Sequence, residues 1–318
     1  MNSVTSTIEA ISGGDLEVTV ALLHECLTAD VISQDLFVRK VLLDPNFDSN
    51  GAFAAKHDGQ VIGFLLAIAR RHRLEDGPDD RSRGYITLFA VGPSFRRKGL
   101  GTLLLDAGLH YLRERGCGSV HISPYAPDYW MPGVDVEAYP GAVAFLETAE
   151  FETTYSPLAM SAPLDEKIEI REPLRKKLER LRPQHVRVES YDPIHAPQIN
   201  DFLRNQFPGD WQRYVRETMM DILMRRRPAN DLLLAFEDDL LVGFAQHEGE
   251  RFGPFGVATR CRGRGIGTHL LLKTMKVMEQ KGLKRAWFMW TDDTTAERVY
   301  APLGFRETRR FAVMSRTL

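Results

Sequence analysis

A seven-residue pattern of basic and glycine residues occurs twice in the chain, as RRKGLGT at 96–102 and as RGRGIGT at 262–268. The flanking residues also match without a gap at an offset of 166 residues, so that Phe89, Val91 and Gly116 align with identical residues. An internal repeat strongly constrains the fold, because each copy should form the same supersecondary unit. The chain of 318 residues is also long enough for two domains, which we therefore predict.

Each copy has the pattern of a strand, a loop and a helix. The segment YITLFAV at 85–91 is rich in β-branched and aromatic residues, which favour strands. Apolar residues then recur at the spacing of one helix face, at Leu105, Leu109 and Leu112. A hairpin pattern precedes each loop, and a further strand and helix follow it. The predicted fold class is α/β, with two tandem domains, each a mixed β-sheet flanked by α-helices.

The domain limits follow from the two copies. We expect a first domain at 1–163, a charged linker at 164–183 and a second domain at 184–318, because the middle segment has many charges and few aromatic residues.

The first copy also carries the insertion PDYWMPGVDVEAYPG after its last strand. An acidic and aromatic insertion of this length either contributes to function or covers an exposed patch.

Composition narrows the classes of function. The net charge at pH 7 is −2, which argues against a nucleic-acid partner bound mainly through its phosphates. The longest apolar run, at 61–69, is too short for a membrane-spanning helix, which needs about 20 residues, and the N-terminus lacks a signal-peptide pattern. The cysteines and histidines show no metal-ligand spacing. We therefore expect a cytoplasmic protein without a metal site and without a membrane or nucleic-acid partner.

The repeated loop has the chemistry of an anion site. Main-chain amides at a helix N-terminus point at one spot, where the helix dipole adds partial positive charge. Glycine lets the main chain approach an anion closely, and the basic residues add formal charge. Neither copy has the lysine spacing of a nucleoside-triphosphate loop or the three glycines of a dinucleotide loop. The expected ligand is a phosphate or a pyrophosphate.

The pattern Arg-x-x-Gly-x-Gly resembles the coenzyme A loop of the GNAT superfamily of acyl-CoA-dependent N-acyltransferases. The resemblance covers 1–163 and 184–318 and implies two tandem GNAT-like domains that use acetyl-CoA. The coenzyme-binding residues that it implies in the first copy are Val91, Arg96, Arg97, Lys98, Gly99, Gly101 and Thr102. Those of the second copy are Phe255, Val257, Arg262, Gly263, Arg264, Gly265, Gly267 and Thr268.

The resemblance also implies a catalytic acid in the second copy. Family members often have Ala-x-x-x-Tyr-x-x-x-Gly-Phe after the fifth strand, and Ala296, Tyr300, Gly304 and Phe305 have this spacing. Tyr300 would then protonate the departing thiolate, whereas a main-chain amide near Val257 would hold the thioester carbonyl oxygen. The alternative is that Tyr300 is only a packed aromatic residue.

The first copy departs from this pattern. Leu146 stands at the tyrosine position and Glu150 at the glycine position. Because leucine has no proton to donate, we expect the first domain to be catalytically degenerate and the second to be active. The first domain would then serve as a scaffold, a wall of the acceptor site or a degenerate coenzyme site.

The acceptor side has several candidate residues. An alkyl amine has a pKa of about 10.4, so a base or desolvation must help to supply its neutral form at pH 7. Glu250 is the candidate base, with Glu248 as the alternative, and either carboxylate is otherwise a solvated turn residue. Trp290 ends the fifth strand of the second copy, and Asp292 and Asp293 follow it, where the acceptor approaches in the family. Asp293 occupies a position at which the family commonly has asparagine.

The sequence thus predicts an acetyl transfer from acetyl-CoA to a primary amine of a small molecule, such as an amino sugar, a polyamine, an amino acid or an antibiotic. One alternative is a protein N-terminal or lysine acetyltransferase. Another is a non-catalytic protein that binds or senses acyl-CoA. A further possibility is that both domains are active on different acceptors.

Overall fold

The computed structural model describes residues 7–127, 129–164 and 186–318. The predicted linker at 164–183 lies outside these residues, apart from Leu164. The described residues form two compact units, each with a mixed sheet flanked by helices, which confirms the predicted α/β fold. Within these ranges, every helix is too short or too polar to cross a bilayer.

The strands range from 2 to 12 residues, and most of them pair with a neighbour in sequence. In chain order they are β1 (Thr7–Ala10), β2 (Ala52–His57), β3 (Gln60–Ala69), β4 (Arg83–Val91), β5 (Ser119–Ile122), β6 (Val134–Asp135), β7 (Glu152–Tyr155), β8 (Leu158–Pro163), β9 (Val186–Ser190), β10 (Leu232–Glu237), β11 (Leu240–Glu248), β12 (Arg251–Val257), β13 (Arg285–Thr291) and β14 (Arg306–Thr317).

The helices lie between these strands. In chain order they are α1 (Leu16–Cys26), α2 (Gln34–Phe37), α3 (Leu100–Glu114), α4 (Pro140–Thr148), α5 (Ala196–Gln206), α6 (Asp210–Leu223), α7 (Ile266–Gln280) and α8 (Asp293–Thr295). Two of them, α2 and α8, continue as π-helical turns at Val38–Leu42 and Ala296–Tyr300.

The first unit comprises Met1–Arg73, Asp79–Pro157 and Arg310–Leu318. Its strands follow the order β1-β2-β3-β4-β5-β14, and the short strands β6 and β7 also pair with β14. Neighbours in this order are antiparallel except for β4 and β5, which are parallel.

The second unit comprises Leu74–Pro78 and Leu158–Arg309. Its strands follow the order β9-β10-β11-β12-β13-β8. Neighbours are again antiparallel, except that β12 and β13 are parallel. The parallel pair therefore occupies the same place in both units.

Each sheet takes its last strand from the other sequence copy. Strand β8, from the end of the first copy, pairs with β13 through Met160 and Phe288. Strand β14, from the end of the second copy, pairs with β5 through Met314 and Ile122. The compact units are therefore not contiguous in sequence, whereas the limits of the duplicated copies stay a prediction.

Helices cover both faces of each sheet. In the first unit α3 packs on one face, with Leu104 in its core, and α1 packs on the other face, with Leu23 in its core. In the second unit α7 packs on one face, and α5 and α6 pack on the other. Because both faces are covered, consecutive residues of β3 and β11 are buried rather than alternating ones.

Candidate functional site

Both glycine loops lie between a strand and a helix N-terminus. Gly265 caps α7 with a φ of 82°, and Gly99 caps α3 with a φ of 84°. Side chains disfavour this left-handed region, whereas glycine enters it freely. The first helical bond of α7 runs from the amide of His269 to the carbonyl of Gly265, at 3.0 Å. The amides at 266–268 therefore precede the helical ladder and are available to an anion.

The first arginine of each loop bonds to its own strand. Nε of Arg262 donates to the carbonyl of Val257 at 3.3 Å, and Nε of Arg96 donates to the carbonyl of Val91 at 2.9 Å. Each bond ties the loop to the end of the strand that precedes it. Both predicted coenzyme residues thus hold the loop in place as well as contributing charge.

Arg264 in the second loop forms a two-point ion pair with Glu237 at the end of β10. Nη1 lies 3.1 Å from Oε2, and Nη2 also contacts Oε1. Sequence reasoning missed Glu237, because no local pattern links this carboxylate to a loop in another part of the chain. The ion pair neutralises one of the two arginine charges beside the second loop.

The parallel strands of the second unit diverge. Their register consists of Arg251 opposite Trp287, and the amide of Trp287 donates to the carbonyl of Glu250 at 3.0 Å. Beyond this point, β12 and β13 share no further register in the part of the chain that the structure describes. Because the two strands are not paired there, the end of β12, where Val257 lies, has an edge without a ladder partner from β13.

Tyr300 lies in an aromatic cluster beside this strand pair. Its ring centroid is 4.3 Å from that of Phe288, 5.5 Å from that of Phe305 and 6.1 Å from that of Phe255. Burial, and to a smaller extent the charge of Asp292, raises the pKa of the Tyr300 phenol well above its usual range. The phenol therefore keeps its proton at neutral pH, but the raised pKa also makes it a weaker acid than an exposed tyrosine.

Asp292 holds the segment that carries Tyr300. Its carboxylate accepts hydrogen bonds from the Thr295 amide at 2.9 Å and from the Thr295 hydroxyl at 2.7 Å, so it caps α8. These bonds lower the pKa of Asp292. The other two predicted acceptor residues, Asp293 and Trp290, are exposed, and 37% of Trp290 is accessible to solvent.

Glu250, the predicted base, is held by neighbouring groups. Its Oε2 lies 2.7 Å from Nε of Arg285, and its Oε1 accepts a bond from the Lys284 amide at 3.2 Å. The bond from Arg285 is the main reason why the pKa of Glu250 is lowered. A lower pKa makes a weaker base, so this placement does not support the predicted role. Glu248, the alternative base, accepts a bond from the Tyr214 hydroxyl at 2.6 Å.

The first unit has the same local geometry around Leu146. The amide of Phe151 donates to the Leu146 carbonyl at 3.0 Å, and that of Phe305 donates to the Tyr300 carbonyl at 3.3 Å. Glu150 adopts a φ of 63°, in the left-handed region that the matching glycine also occupies. Leu146 is therefore the structural counterpart of the tyrosine.

The insertion in the first unit packs against the helices. Trp130 is 7% exposed and joins the core formed with α1 and α2, which includes Phe37. Lys40 Nζ donates to the Tyr129 carbonyl at 2.7 Å and lies 5.3 Å from the Trp130 ring centroid. These contacts favour the interpretation that the insertion covers an apolar face.

Comparisons with known proteins agree with this geometry. The sequence profile of the acetyltransferase (GNAT) family matches residues 20–128 and 196–305. The mycothiol acetyltransferase of Rhodococcus jostii (strain RHA1) is 41% identical over 77 residues, which are 23% of this chain. The matched segment covers 24% of the length of that relative, about a quarter.

Two solved structures have a similar fold along nearly the whole chain. One is the GCN5-related glucosamine N-acetyltransferase region of a fungal multi-domain GH3 beta-N-acetylglucosaminidase, with a TM-score of 0.77 and 18% identity over 99% of this chain and 38% of that one. The other is a tandem GNAT protein from the clavulanic acid biosynthesis pathway, with a TM-score of 0.63 and 15% identity over 98% of both chains. At these identities the likeness concerns the fold alone.

Proposed function

Because the chain belongs to the acetyltransferase (GNAT) family, we propose that it transfers an acetyl group from acetyl-CoA to the primary amine of a small molecule. The observation that carries this proposal is the arrangement in the second unit. A glycine loop at a helix N-terminus follows the same diverging strand, β12, beside which the buried phenol of Tyr300 lies.

The residues of the second loop fit a pyrophosphate. A Cβ added to Gly263, two residues before the helix cap, would meet no atom within 4 Å, so the main chain of the loop is open to a ligand there. The amides at 265–268, together with Arg262 and Arg264, would hold the two phosphates. A phosphate would compete with Glu237 for Arg264. When bound, acetyl-CoA supplies the thioester that is attacked.

The other residues of the site act on charge and protons. A main-chain amide of β12 near Val257 would hold the carbonyl oxygen as negative charge develops on it. Tyr300 donates its proton to the thiolate as the C–S bond breaks, and the proton that the amine nitrogen loses on forming the amide restores the phenol. Burial raises the pKa of the phenol above the thiol pKa of about 8.5, so burial itself opposes this transfer. The aromatic cluster desolvates the attacking amine, which lowers the amine pKa and favours its neutral form. Desolvation contributes more to this task than Glu250, because Arg285 holds that carboxylate.

The first unit has the loop without the acid. Gly99 has the same helix-capping conformation as Gly265, but Leu146 replaces Tyr300. We propose that the first unit supports the protein without transferring an acetyl group. The names of the mycothiol and glucosamine acetyltransferases favour a small-molecule acceptor over a protein N-terminus. Trp290 and Asp293 are the exposed candidates for contact with this acceptor.

Incubation of the full chain with acetyl-CoA and a panel of amines tests this proposal. The panel contains glucosamine, cyclohexylamine, spermidine, lysine and a lysine-free peptide with a free N-terminus. The release of free thiol is measured for each amine. We expect thiol release with at least one small amine and a lower rate with the peptide. Binding of acetyl-CoA without thiol release from any amine would instead support the non-catalytic alternative.

A further inference from the structure

The last glycine of each loop faces the strand that precedes the loop. Gly101 of the first loop and Gly267 of the second have the same place in the repeated pattern. A Cβ added to Gly267 would lie 3.5 Å from the ring of Phe255 and 3.5 Å from the side chain of Val257. No atom of the described segment that carries Tyr300 lies within 4 Å of it. The second unit therefore leaves a gap between its loop and that segment.

The first unit fills the corresponding gap with the ring of Phe145. A Cβ added to Gly101 would lie 3.6 Å from both Cε2 and Cζ of Phe145, and 3.9 Å from the ring of Phe89. Phe145 is the residue before Leu146 on α4, so its counterpart in the second unit is Val299. An aromatic ring thus covers the last glycine of the first loop, whereas the second unit has a smaller side chain at that position.

Helix geometry explains why Phe145 reaches the loop. Successive side chains of a helix point in directions about 100° apart, so Phe145 approaches the strand from another side than Leu146, the counterpart of Tyr300. Both rings meet the phenylalanine of their strand edge to face, Phe145 at 5.7 Å from Phe89 and Tyr300 at 6.1 Å from Phe255. Only the ring of Phe145 also contacts the last glycine of its loop.

The proposed function gives the gap in the second unit a role. If the second loop holds the two phosphates and Tyr300 meets the sulfur, the arm of the coenzyme that joins them passes between the two, beside Gly267. In the first unit the ring of Phe145 occupies the equivalent space beside Gly101. Protein atoms at van der Waals contact leave no room for a ligand chain between them.

We propose that Phe145 closes the coenzyme path of the first unit, so that the chain binds one acetyl-CoA, at the second unit. This inference rests on the proposed function. The ring of Phe145 also forms part of the wall of a groove of about 270 Å³ between α3 and α4, which Thr102, Leu105, Asp106 and Thr148 line as well. A valine at this position, as in the second unit, would join the groove to the space beside the loop and open a second coenzyme site.

The variant Phe145→Val tests the closure by calorimetric titration with coenzyme A, which counts the bound equivalents per chain. We expect one equivalent for the wild-type protein and two for Phe145→Val. Phe53→Val is the matched control, because Phe53 is also a half-buried phenylalanine of the first unit, but its ring lies 6.3 Å from that of Tyr111, at the other end of α3 from the loop. It should bind one equivalent and melt at a temperature similar to that of Phe145→Val.

Two equivalents bound by the wild-type protein would overturn the proposal, because the first unit would then be open. One equivalent bound by Phe145→Val would overturn it as well, provided that this variant melts no lower than Phe53→Val.

The reverse substitution makes the same test in the second unit. Val299→Phe should place a ring beside the second loop, so we expect the affinity for coenzyme A to fall at least tenfold, together with the loss of thiol release. Val299→Ile lengthens the side chain without a ring and should keep the affinity within about threefold. A Val299→Phe protein that keeps both its coenzyme affinity and its melting temperature would contradict the proposal.

A double variant separates this proposal from the proposed function. Gly265→Glu puts a carboxylate at the second loop, where it repels phosphate, so Phe145→Val in that background should bind one equivalent of coenzyme A, at the first loop. Binding of none would refute the closure. If the wild-type protein binds no coenzyme A, the proposed function fails, but the closure is still tested: one equivalent gained by Phe145→Val supports it, and none refutes it.

Discussion

Replacement of Tyr300 by phenylalanine separates catalysis from packing. Phenylalanine keeps the ring that contacts Phe288 at 4.3 Å, Phe305 at 5.5 Å and Phe255 at 6.1 Å, and it removes only the hydroxyl. We therefore expect the free energy of unfolding to change by less than about 1 kcal/mol, or about 2–4 °C in melting temperature for a unit of this size. Loss of a general acid reduces kcat by about 10² to 10⁴, which is about 2.7–5.4 kcal/mol.

The assay is thiol release at saturating acetyl-CoA and amine, with calorimetric melting of the same sample. Tyr111→Phe is the control, because Tyr111 is a buried tyrosine of the first unit that lies outside the proposed site. We expect the control to keep kcat. If Tyr300→Phe keeps kcat within about threefold of the wild-type value, the tyrosine is only a packed aromatic residue.

Two further predictions concern charges beside the site. Glu237→Gln removes the ion pair with Arg264. We therefore expect KM for acetyl-CoA to fall a few-fold at low salt and less at high salt. A KM that is unchanged at both salt concentrations would show that Arg264 does not contact the phosphates. Asp292→Asn keeps a capping side chain but removes a charge that raises the pKa of Tyr300. The catalytic acid must be protonated, so the loss of kcat at high pH should begin at a lower pH in this variant. A loss of kcat that begins at a higher pH in Asp292→Asn than in the wild-type protein would contradict the acid role.

The sequence predicted the local structure around the loops well. The glycine spacing predicted a strand, a loop and a helix N-terminus, and both Gly99 and Gly265 adopt the left-handed conformation that caps the helix. Alignment of Phe151 with Phe305 also predicted the equivalence of Leu146 and Tyr300, which share the same hydrogen bond from a following phenylalanine. These features are set by residues close in sequence.

The partners that are distant in sequence were not predictable. Nothing in the sequence of β14 shows that this strand joins the sheet of the first unit. The pairing of Arg264 with Glu237 and that of Gln212 with Asp76 likewise depend on how the chain folds back. A sequence pattern shows the type of an element and its buried face, whereas the choice of partner depends on the three-dimensional arrangement.

The central claim is that the loop of the second unit, and not that of the first, serves the reaction. Gly265→Glu and Gly99→Glu form a matched pair, because both glycines cap a helix with a φ above 80°, so the folding cost of the strained backbone should be similar. We predict that acetyl-CoA-dependent thiol release is lost in Gly265→Glu and kept in Gly99→Glu. Release that survives in Gly265→Glu and disappears in Gly99→Glu would contradict the account.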